Sequence, residues 1–241
     1  MSRLSTYAVS CLLWVSSILS FIVFGLGFIL MSFVVPVQWL QPLGRWVSRG
    51  ILIMAGQRIE LIDDFPEPKN GPYIYMFNHT SLLDTFILIA TIPEFTAAIG
   101  KAEQFKIPIW GYILKRWGAV AIHRSELNRA ISALSAVEAS LKSGRSLLIS
   151  PEGTRSIDGR LQVFKKGPFH VAMNVPTPIV PIAIVGAFKA KRKGDWVLRP
   201  NTIRVHIAPL INRTHAGFES KETLSIATRA AIAECLPDEQ R

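Results

Sequence analysis

The longest uncharged stretch of this chain lies near its N-terminus and restricts the fold more than any other feature. No Asp, Glu, Lys or Arg occurs from Tyr7 to Val35, and most side chains there are apolar. A helix needs about 20 apolar residues to cross a bilayer. We therefore predict a membrane anchor in residues 1–50, either a single tilted span or a hairpin that enters one leaflet and bends near Gly25 and Gly27. The run is too long for a signal peptide, and no small-x-small cleavage site follows it.

The residues after this run are typical of a membrane–water boundary. Pro36 ends the run, and two tryptophans follow at Trp39 and Trp46. Three arginines on this side, Arg45, Arg49 and Arg58, outnumber Arg3 on the other. This asymmetry predicts that the remaining chain faces the cytoplasm.

The net charge of +10 and the pI near 9.9 indicate an anionic partner, either nucleic acid or a membrane surface. The apolar segment favours the membrane, because anionic head groups attract nearby basic residues. The segment Lys189–Lys193 is either a contact with such head groups or a solvated loop. The chain has no RNA-binding signature and no zinc knuckle, so we expect no nucleic-acid partner.

Residues 51–241 alternate short apolar runs with helical patterns, which predicts a second unit of the α/β class. The predicted strands are Ile59–Ile62, Tyr73–Phe77, Phe95–Ile99, Ala119–Ile122, Ser146–Ile149, Ile179–Val185 and Thr202–Ile207. The predicted helices are Ser81–Ala90, Pro108–Leu114, Ser125–Ser143, Lys166–Asn174 and Ser220–Cys235. In such folds ligands bind beyond the carboxyl ends of the strands.

The first candidate site follows the predicted strand that ends at Phe77. His79 stands five residues before Asp84, and Ser81 is predicted to cap the next helix. An imidazole oriented by a carboxylate can take a proton from a hydroxyl group near neutral pH. Alternatively, Asp84 only satisfies the start of the helix, as in a capping box.

The second candidate site is the loop after the strand that ends at Ile149. Glu152, Gly153, Thr154 and Arg155 combine a carboxylate, a flexible backbone position, a hydroxyl and a guanidinium that suits a phosphate. The alternative is an ordinary turn with a pair between Glu152 and Arg155.

Two further segments carry weaker signals. Lys101 and Arg124 enclose an apolar, aromatic-rich turn, which suits a ligand with a charged head and an apolar tail; the alternative is a buried turn with snorkelling cations. Pro181 lies inside a predicted strand, which indicates a strand edge or a bulge.

Together these segments resemble the four sequence boxes of the lysophosphatidic acid acyltransferases, the PlsC-type glycerolipid acyltransferases. His79 and Asp84 match the H-x4-D box, and residues 152–155 match the EGTR box. The stretch from Lys101 to Arg124 is similar to the second box, except that His123 stands where many members have Asp. Val180-Pro181-Ile182 is similar to the fourth box.

The resemblance implies a mixed β-sheet flanked by helices in residues 51–241, and direct acyl transfer without an acyl-enzyme. His79 would act as general base and Asp84 would orient it. Arg155, with Arg124 and Lys101, would bind the acceptor phosphate. The reaction implied is acylation of 1-acyl-sn-glycerol-3-phosphate to phosphatidic acid, with acyl-CoA or acyl-carrier protein as donor.

The residues themselves agree with this reaction type. No G-x-S-x-G motif is present, and Cys11 and Cys235 lie far from the candidate histidine in sequence. The five histidines are scattered, so we expect no metal and no cofactor. Two alternatives stay open: a different lysolipid acceptor, and a non-catalytic protein that binds anionic membranes.

Overall fold

The computed structural model of the chain describes residues 3–122, 127–214 and 216–241. Within these residues one sheet of seven strands is flanked by helices on both faces. The strands are β1 Gln57–Leu61, β2 Ile74–Phe77, β3 Thr96–Lys101, β4 Val120–Ile122, β5 Ser146–Ile149, β6 Ile179–Val185 and β7 Asn201–Ile207. The α-helices are α1 Arg3–Met31, α2 Gln41–Met54, α3 Asp84–Thr91, α4 Trp110–Trp117, α5 Leu127–Lys142, α6 Lys166–Asn174, α7 Ala187–Ala190 and α8 Lys221–Glu234.

The sheet is mixed, as predicted, and its strand order is β1-β7-β6-β2-β5-β3-β4. The five strands from β6 to β4 are parallel, β7 is antiparallel to β6, and β1 is parallel to β7. The carboxyl ends of β2, β3, β5 and β6 therefore meet at one edge of the sheet. Loops that follow these ends come together there, which is where ligands bind in folds of this class.

The core has two layers because successive strand residues point to opposite faces. In β2, Tyr75 and Phe77 belong to the cluster that includes residues of α2, α3 and α7. Ile74 and Met76 belong to the cluster that includes residues of α5, α6 and α8. Both faces of β2 are thus buried, as its continuous apolar sequence predicts.

Helix α1 runs without interruption through Gly25 and Gly27, so the bend predicted there is wrong. The chain turns instead between the end of α1 and Pro36, and then forms α2, which was not predicted. By length and composition Leu4–Met31 could cross a membrane. In the structure, however, one face of this helix lies along the sheet domain. Residues of α1 in this contact include Ser10, Trp14, Phe21, Gly25 and Phe28, and Ser32 adds a contact just beyond the end of the helix.

The prediction for Pro181 needs a correction, because β6 is a central strand and not an edge. The carbonyl of Pro181 accepts a hydrogen bond from Ala208 N, just beyond the end of β7. The nitrogen of Pro181, which carries no hydrogen, faces the same side of the strand. The ladder of hydrogen bonds between β6 and β7 has already ended at this position. Proline is tolerated there because no ladder hydrogen bond needs its N–H.

Candidate active site

The first candidate site lies directly beyond the carboxyl end of β2. Asn78 is buried at the end of this strand, where its side chain accepts a hydrogen bond from Ile184 N (2.7 Å) and donates one to Ile184 O (3.1 Å). This pair of bonds fastens the end of β2 to β6. His79 therefore leaves the sheet at a fixed point.

The side chains of His79 and Asp84 are in direct contact. His79 Nδ1 lies 2.8 Å from Asp84 Oδ2, and the Asp84 side chain is fully buried while that of His79 is 23% exposed. The same carboxylate oxygen accepts hydrogen bonds from Thr80 N (2.8 Å) and Ser81 N (2.9 Å). Both predicted roles of Asp84 thus occur together: the carboxylate satisfies the backbone before α3 and also orients the imidazole.

The prediction that Ser81 caps the next helix is wrong, because α3 begins at Asp84. Ser81 Oγ instead donates a hydrogen bond to Lys191 O at 2.9 Å and accepts one from Leu83 N at 3.2 Å. Residues 78–84, which connect β2 to the start of α3, are called the histidine turn below. The hydroxyl of Ser81 connects this turn to a loop more than a hundred residues away in sequence. The sequence carried no signal for this contact.

The second candidate site, the loop after β5, lies against the first. Glu152 Oε1 accepts a hydrogen bond from His79 N (2.7 Å), and Ser156 N donates one to His79 O (2.8 Å). The backbone of His79 is therefore held on both sides by this loop. Gly153 allows the tight turn, since its φ of +71° is strained for other residues.

Glu152 does not pair with Arg155 as the alternative interpretation required. Its second oxygen accepts hydrogen bonds from Gln162 N (3.1 Å) and Gln162 Nε2 (2.9 Å). Burial raises the pKa of the Glu152 carboxyl, and the hydrogen bonds from His79 N and Gln162 partly oppose this rise. Glu152 is thus a buried link between the histidine turn and residue 162.

Gln162 belongs to no sequence motif, and its sequence context does not indicate a role at the site. Its Nε2 also donates a hydrogen bond to Thr154 O at 3.0 Å. Gln162 therefore binds both the side chain of Glu152 and the backbone of the EGTR segment. A polar residue ten positions after Glu152 gives no periodic signal. Only the fold of the loop reveals its role.

The other predicted site residues are placed as follows. Lys101 ends β3 at the same sheet edge, and its ammonium lies 3.4 Å from Glu103 Oε1. Arg124 and the neighbouring His123 lie outside the described residues. Pro181 is buried in the middle of β6, so the structure does not bring its side chain together with the polar residues of the two loops.

The turn between Lys101 and α4 shows why small residues occur in the second box. A Cβ on Gly111 would lie 2.3 Å from Phe105 O, so a side chain larger than hydrogen cannot fit. Trp110, at the start of α4, lies against Phe21 of α1 with ring centroids 6.1 Å apart. The predicted apolar, aromatic turn therefore packs against the N-terminal helix.

In chemical terms the arrangement is an imidazole that is oriented by a buried carboxylate, next to a loop that carries a guanidinium. When Nδ1–H of His79 donates this hydrogen bond to Asp84, the lone pair of the neutral imidazole is on Nε2. No group of three or more potential metal-ligating side chains occurs among the described residues.

Similarity to known proteins identifies the family to which the chain belongs. A family model described as Acyltransferase matches residues 58–185, which is more than half of the chain and includes all four boxes. The chain belongs to the acyltransferase family. The resemblance predicted from the boxes is thereby confirmed.

Individual acyltransferases agree with this assignment. A 1-acyl-sn-glycerol-3-phosphate acyltransferase from Cocos nucifera is 37% identical over 163 residues, which cover 67% of this chain and 52% of that protein. A chloroplastic 1-acyl-sn-glycerol-3-phosphate acyltransferase from Arabidopsis thaliana is 33% identical over 192 residues, 79% of this chain and 52% of that protein. This chain thus matches about half the length of each relative.

The fold is also that of a solved acyltransferase. The crystal structure of the 1-acyl-sn-glycerophosphate acyltransferase PlsC from Thermotoga maritima superposes with a TM-score of 0.85 at 21% identity. The match covers 98% of this chain and 96% of that one, so it includes the N-terminal helices as well as the sheet.

Proposed function

We propose that this acyltransferase transfers a fatty acyl group from an acyl thioester to the free hydroxyl of 1-acyl-sn-glycerol-3-phosphate and forms phosphatidic acid. The 2.8 Å contact between His79 Nδ1 and Asp84 Oδ2, next to the EGTR loop, is the observation that carries this proposal. The names of the Cocos nucifera and Arabidopsis thaliana relatives support the choice of acceptor. The donor is acyl-CoA or acyl-carrier protein.

His79 acts as the general base in this mechanism. Asp84 fixes the tautomer, and Nε2 takes the proton of the acceptor hydroxyl as its oxygen attacks the thioester carbonyl. The tetrahedral intermediate then collapses, the C–S bond breaks, and the thiolate takes the proton back from the imidazolium. The carboxylate of Asp84 stabilises the imidazolium between these two steps.

The cationic side chains bind the acceptor. Arg155 offers a planar pair of donors to a phosphate, and Lys101 and Arg124 belong to the same proposed site. Glu152 holds the EGTR loop against the backbone of His79. Two substrates held next to one base also supply the rate advantage of proximity.

We further propose that the N-terminal helices keep the enzyme on the bilayer, with residues 51–241 as the catalytic domain on the cytoplasmic side. The face of α1 that does not touch the domain exposes large apolar side chains, among them Leu4, Leu12, Leu19, Val23 and Leu30. A helix that lies along a water-exposed domain cannot also cross the whole bilayer. The structure therefore favours entry of α1 and α2 into one leaflet over a full span.

The reaction is tested by mixing the purified enzyme with several lysolipids and with both donor types, and identifying products by mass spectrometry. The proposal requires phosphatidic acid from 1-acyl-sn-glycerol-3-phosphate as the main product. Preference for another lysolipid would favour the alternative acceptor. No acyl transfer with any pair would favour the non-catalytic alternative.

The membrane arrangement is tested separately by vesicle flotation. Leu12→Glu and Val23→Glu, both on the exposed face of α1, are expected to release the protein from vesicles. A cysteine placed near either end of α1 should react with a membrane-impermeant reagent from the same side of the vesicle. Labelling of the two ends from opposite sides would establish a full span instead.

A further inference from the structure

A loop outside the four sequence boxes lies against both candidate site loops. This loop, residues 191–195, follows α7. Lys191 O accepts the hydrogen bond from Ser81 Oγ in the histidine turn. Lys193 Nζ donates to Arg155 O at 2.9 Å and to Thr154 Oγ1 at 3.3 Å in the EGTR loop. The ammonium of Lys193 is therefore held between the backbone carbonyl of Arg155 and the hydroxyl of Thr154.

The positive charge at this point has no counterion among the described residues. Across the described parts of the chain, no carboxylate lies within ion-pair distance of Lys193 or Arg155. The acid in the loop, Asp195, is bound to Arg199 at 2.8 Å. Lys189, close by in sequence, differs, since its ammonium lies 3.8 Å from Glu239.

A third cation adds to this excess. Lys191 is buried, and its ammonium donates to the carbonyl oxygens of Arg192 and Asp195. Burial lowers the pKa of Lys191, and the positive charge of Arg155 lowers it further. Arg155 is thus close enough to interact with this loop. Like charges held together repel each other unless an anion lies between them.

We propose that Lys193 and Arg155 together form the subsite for the phosphate of the acceptor, and that the second cation makes this subsite selective for a phosphomonoester. A phosphomonoester carries about −1.5 to −2 charges at neutral pH. The guanidinium can bind two of its oxygens, and the ammonium acts as a point charge on the third. A phosphodiester head group carries one charge and lacks the third anionic oxygen. This inference rests on the proposed function and adds head-group specificity to it.

The segment that directly follows this loop, residues 196–198, is bound to α1. Ser10 Oγ accepts a hydrogen bond from Leu198 N at 2.8 Å, and Trp14 Nε1 donates to Trp196 O at 2.7 Å. The side chain of Trp196 is 81% exposed. The loop that carries Lys193 is therefore followed directly by an attachment to the N-terminal half of α1.

The test compares Lys193→Gln with the matched control Lys189→Gln in neutral detergent micelles. Acceptor KM is measured for lysophosphatidate, a monoester, and lysophosphatidylglycerol, a diester. A charge-assisted hydrogen bond contributes about 1.5–3 kcal/mol, so Lys193→Gln should raise KM for lysophosphatidate by about 10- to 100-fold. The KM for the diester and both KM values of the control should change by less than about threefold. Lys193→Arg, which keeps the charge, should recover most of the loss.

Three results would overturn this assignment. The first is an equal rise in KM for monoester and diester. The second is an effect of Lys189→Gln as large as that of Lys193→Gln, which would indicate general surface charge. The third is a rise in the KM of the acyl donor alone, which would assign the cations to donor phosphates.

A binding measurement separates this inference from the proposed reaction. A lysophosphatidate analogue without the accepting hydroxyl cannot react, so its affinity reports the subsite alone. We expect Lys193→Gln to weaken its binding by about 10-fold or more in calorimetry. If the wild type binds this analogue through Lys193 but forms no phosphatidic acid, the proposed reaction fails and the subsite stands. Unchanged affinity in Lys193→Gln, with an unchanged melting temperature, rejects the subsite.

Discussion

The two loops that meet at the candidate active site differ in how their charges are balanced. In the histidine turn Asp84 is fully buried, and its Oδ2 has three hydrogen-bond partners within the protein. The EGTR loop holds its backbone just as firmly, but Arg155 and the neighbouring Lys193 have no carboxylate partner in the part of the chain that is described. In the proposed mechanism the first loop holds the base in place before substrate arrives, and the second provides charge that the acceptor balances.

This difference predicts different kinetic consequences. Changes in the histidine turn should lower kcat, because they remove a group that acts on the reacting hydroxyl. Changes to the cationic side chains of the EGTR loop and to Lys193 should raise the acceptor KM. The proposed contacts of these side chains with the acceptor are the same in the ground state and in the transition state. Glu152 and Gln162 join the two loops and should have intermediate effects.

The largest effect is expected for His79→Ala. General base catalysis contributes about 10²- to 10⁴-fold, so kcat should fall by at least about 10²-fold. Steady-state acyl transfer at saturating substrates measures this, with circular dichroism as the control for folding. A rate above about a tenth of wild type in a folded variant would reject His79 as the base.

The next largest effect is expected for Arg155→Gln. Loss of a charge-assisted hydrogen bond should raise the acceptor KM by about 10- to 100-fold, with a smaller change in kcat. Arg155→Lys is the matched variant, because it keeps the charge but loses the planar pair of donors. Should both variants lower kcat as strongly as His79→Ala and leave KM unchanged, the division between the two loops would be wrong.

A smaller effect is expected for Gln162→Ala, which removes the bonds from Nε2 to Glu152 and Thr154. A hydrogen bond contributes about 0.5–1.5 kcal/mol when neutral and about 1.5–3 kcal/mol when one partner is charged. Because Gln162 acts on His79 only through Glu152, we expect kcat to lose part of this, a fall of about three- to tenfold, while the donor KM is unchanged. The neighbouring side chain Val163 is 83% exposed, which makes Val163→Ala the control. If Gln162 positions His79 through Glu152, the pH profile of kcat should also shift. Equal effects of both substitutions would show that Gln162 has no positioning role.

The smallest effect is expected in the stability of Glu152→Gln as a function of pH. Burial raises the pKa of Glu152 above its ordinary value of 4.5, so the folded chain binds this proton more tightly than the unfolded chain does. As pH falls through the raised folded-state pKa, the free energy of unfolding of the wild type should rise relative to that of Glu152→Gln, until the pH is below 4.5. Urea denaturation between about pH 7.5 and about pH 4.5 measures the difference. A constant difference over this range would mean that Glu152 is not perturbed by burial.

Much of the local structure follows from the sequence. The strands Ser146–Ile149 and Ile179–Val185 and the helix Lys166–Asn174 have the predicted limits. Ser220 caps α8, and its hydroxyl accepts a hydrogen bond from Thr223 N. These elements have strong local signals: continuous apolar runs bounded by turn residues, or a cap followed by an amphipathic stripe.

Other local predictions failed where long-range contacts overrode the local pattern. The hydroxyl of Ser81 bonds to Lys191 O, and the helix starts three residues later than its sequence indicates. Lys191, predicted to face either a membrane or solvent, is buried beneath its own loop. Helix α2 was missed because its residues were interpreted as a membrane boundary.

The sequence alone determined the long apolar N-terminal segment, the α/β class and the order in which His79, Asp84 and residues 152–155 follow their strands. These depend on hydrophobic periodicity and on spacing within a few residues, which local physics controls. Only the tertiary structure decided that Glu152 binds the backbone of His79, that Gln162 braces Glu152, and that Lys193 lies beside Arg155. Such contacts depend on which strands are neighbours in the sheet and on how the connecting loops close, and no periodic pattern in the chain encodes either.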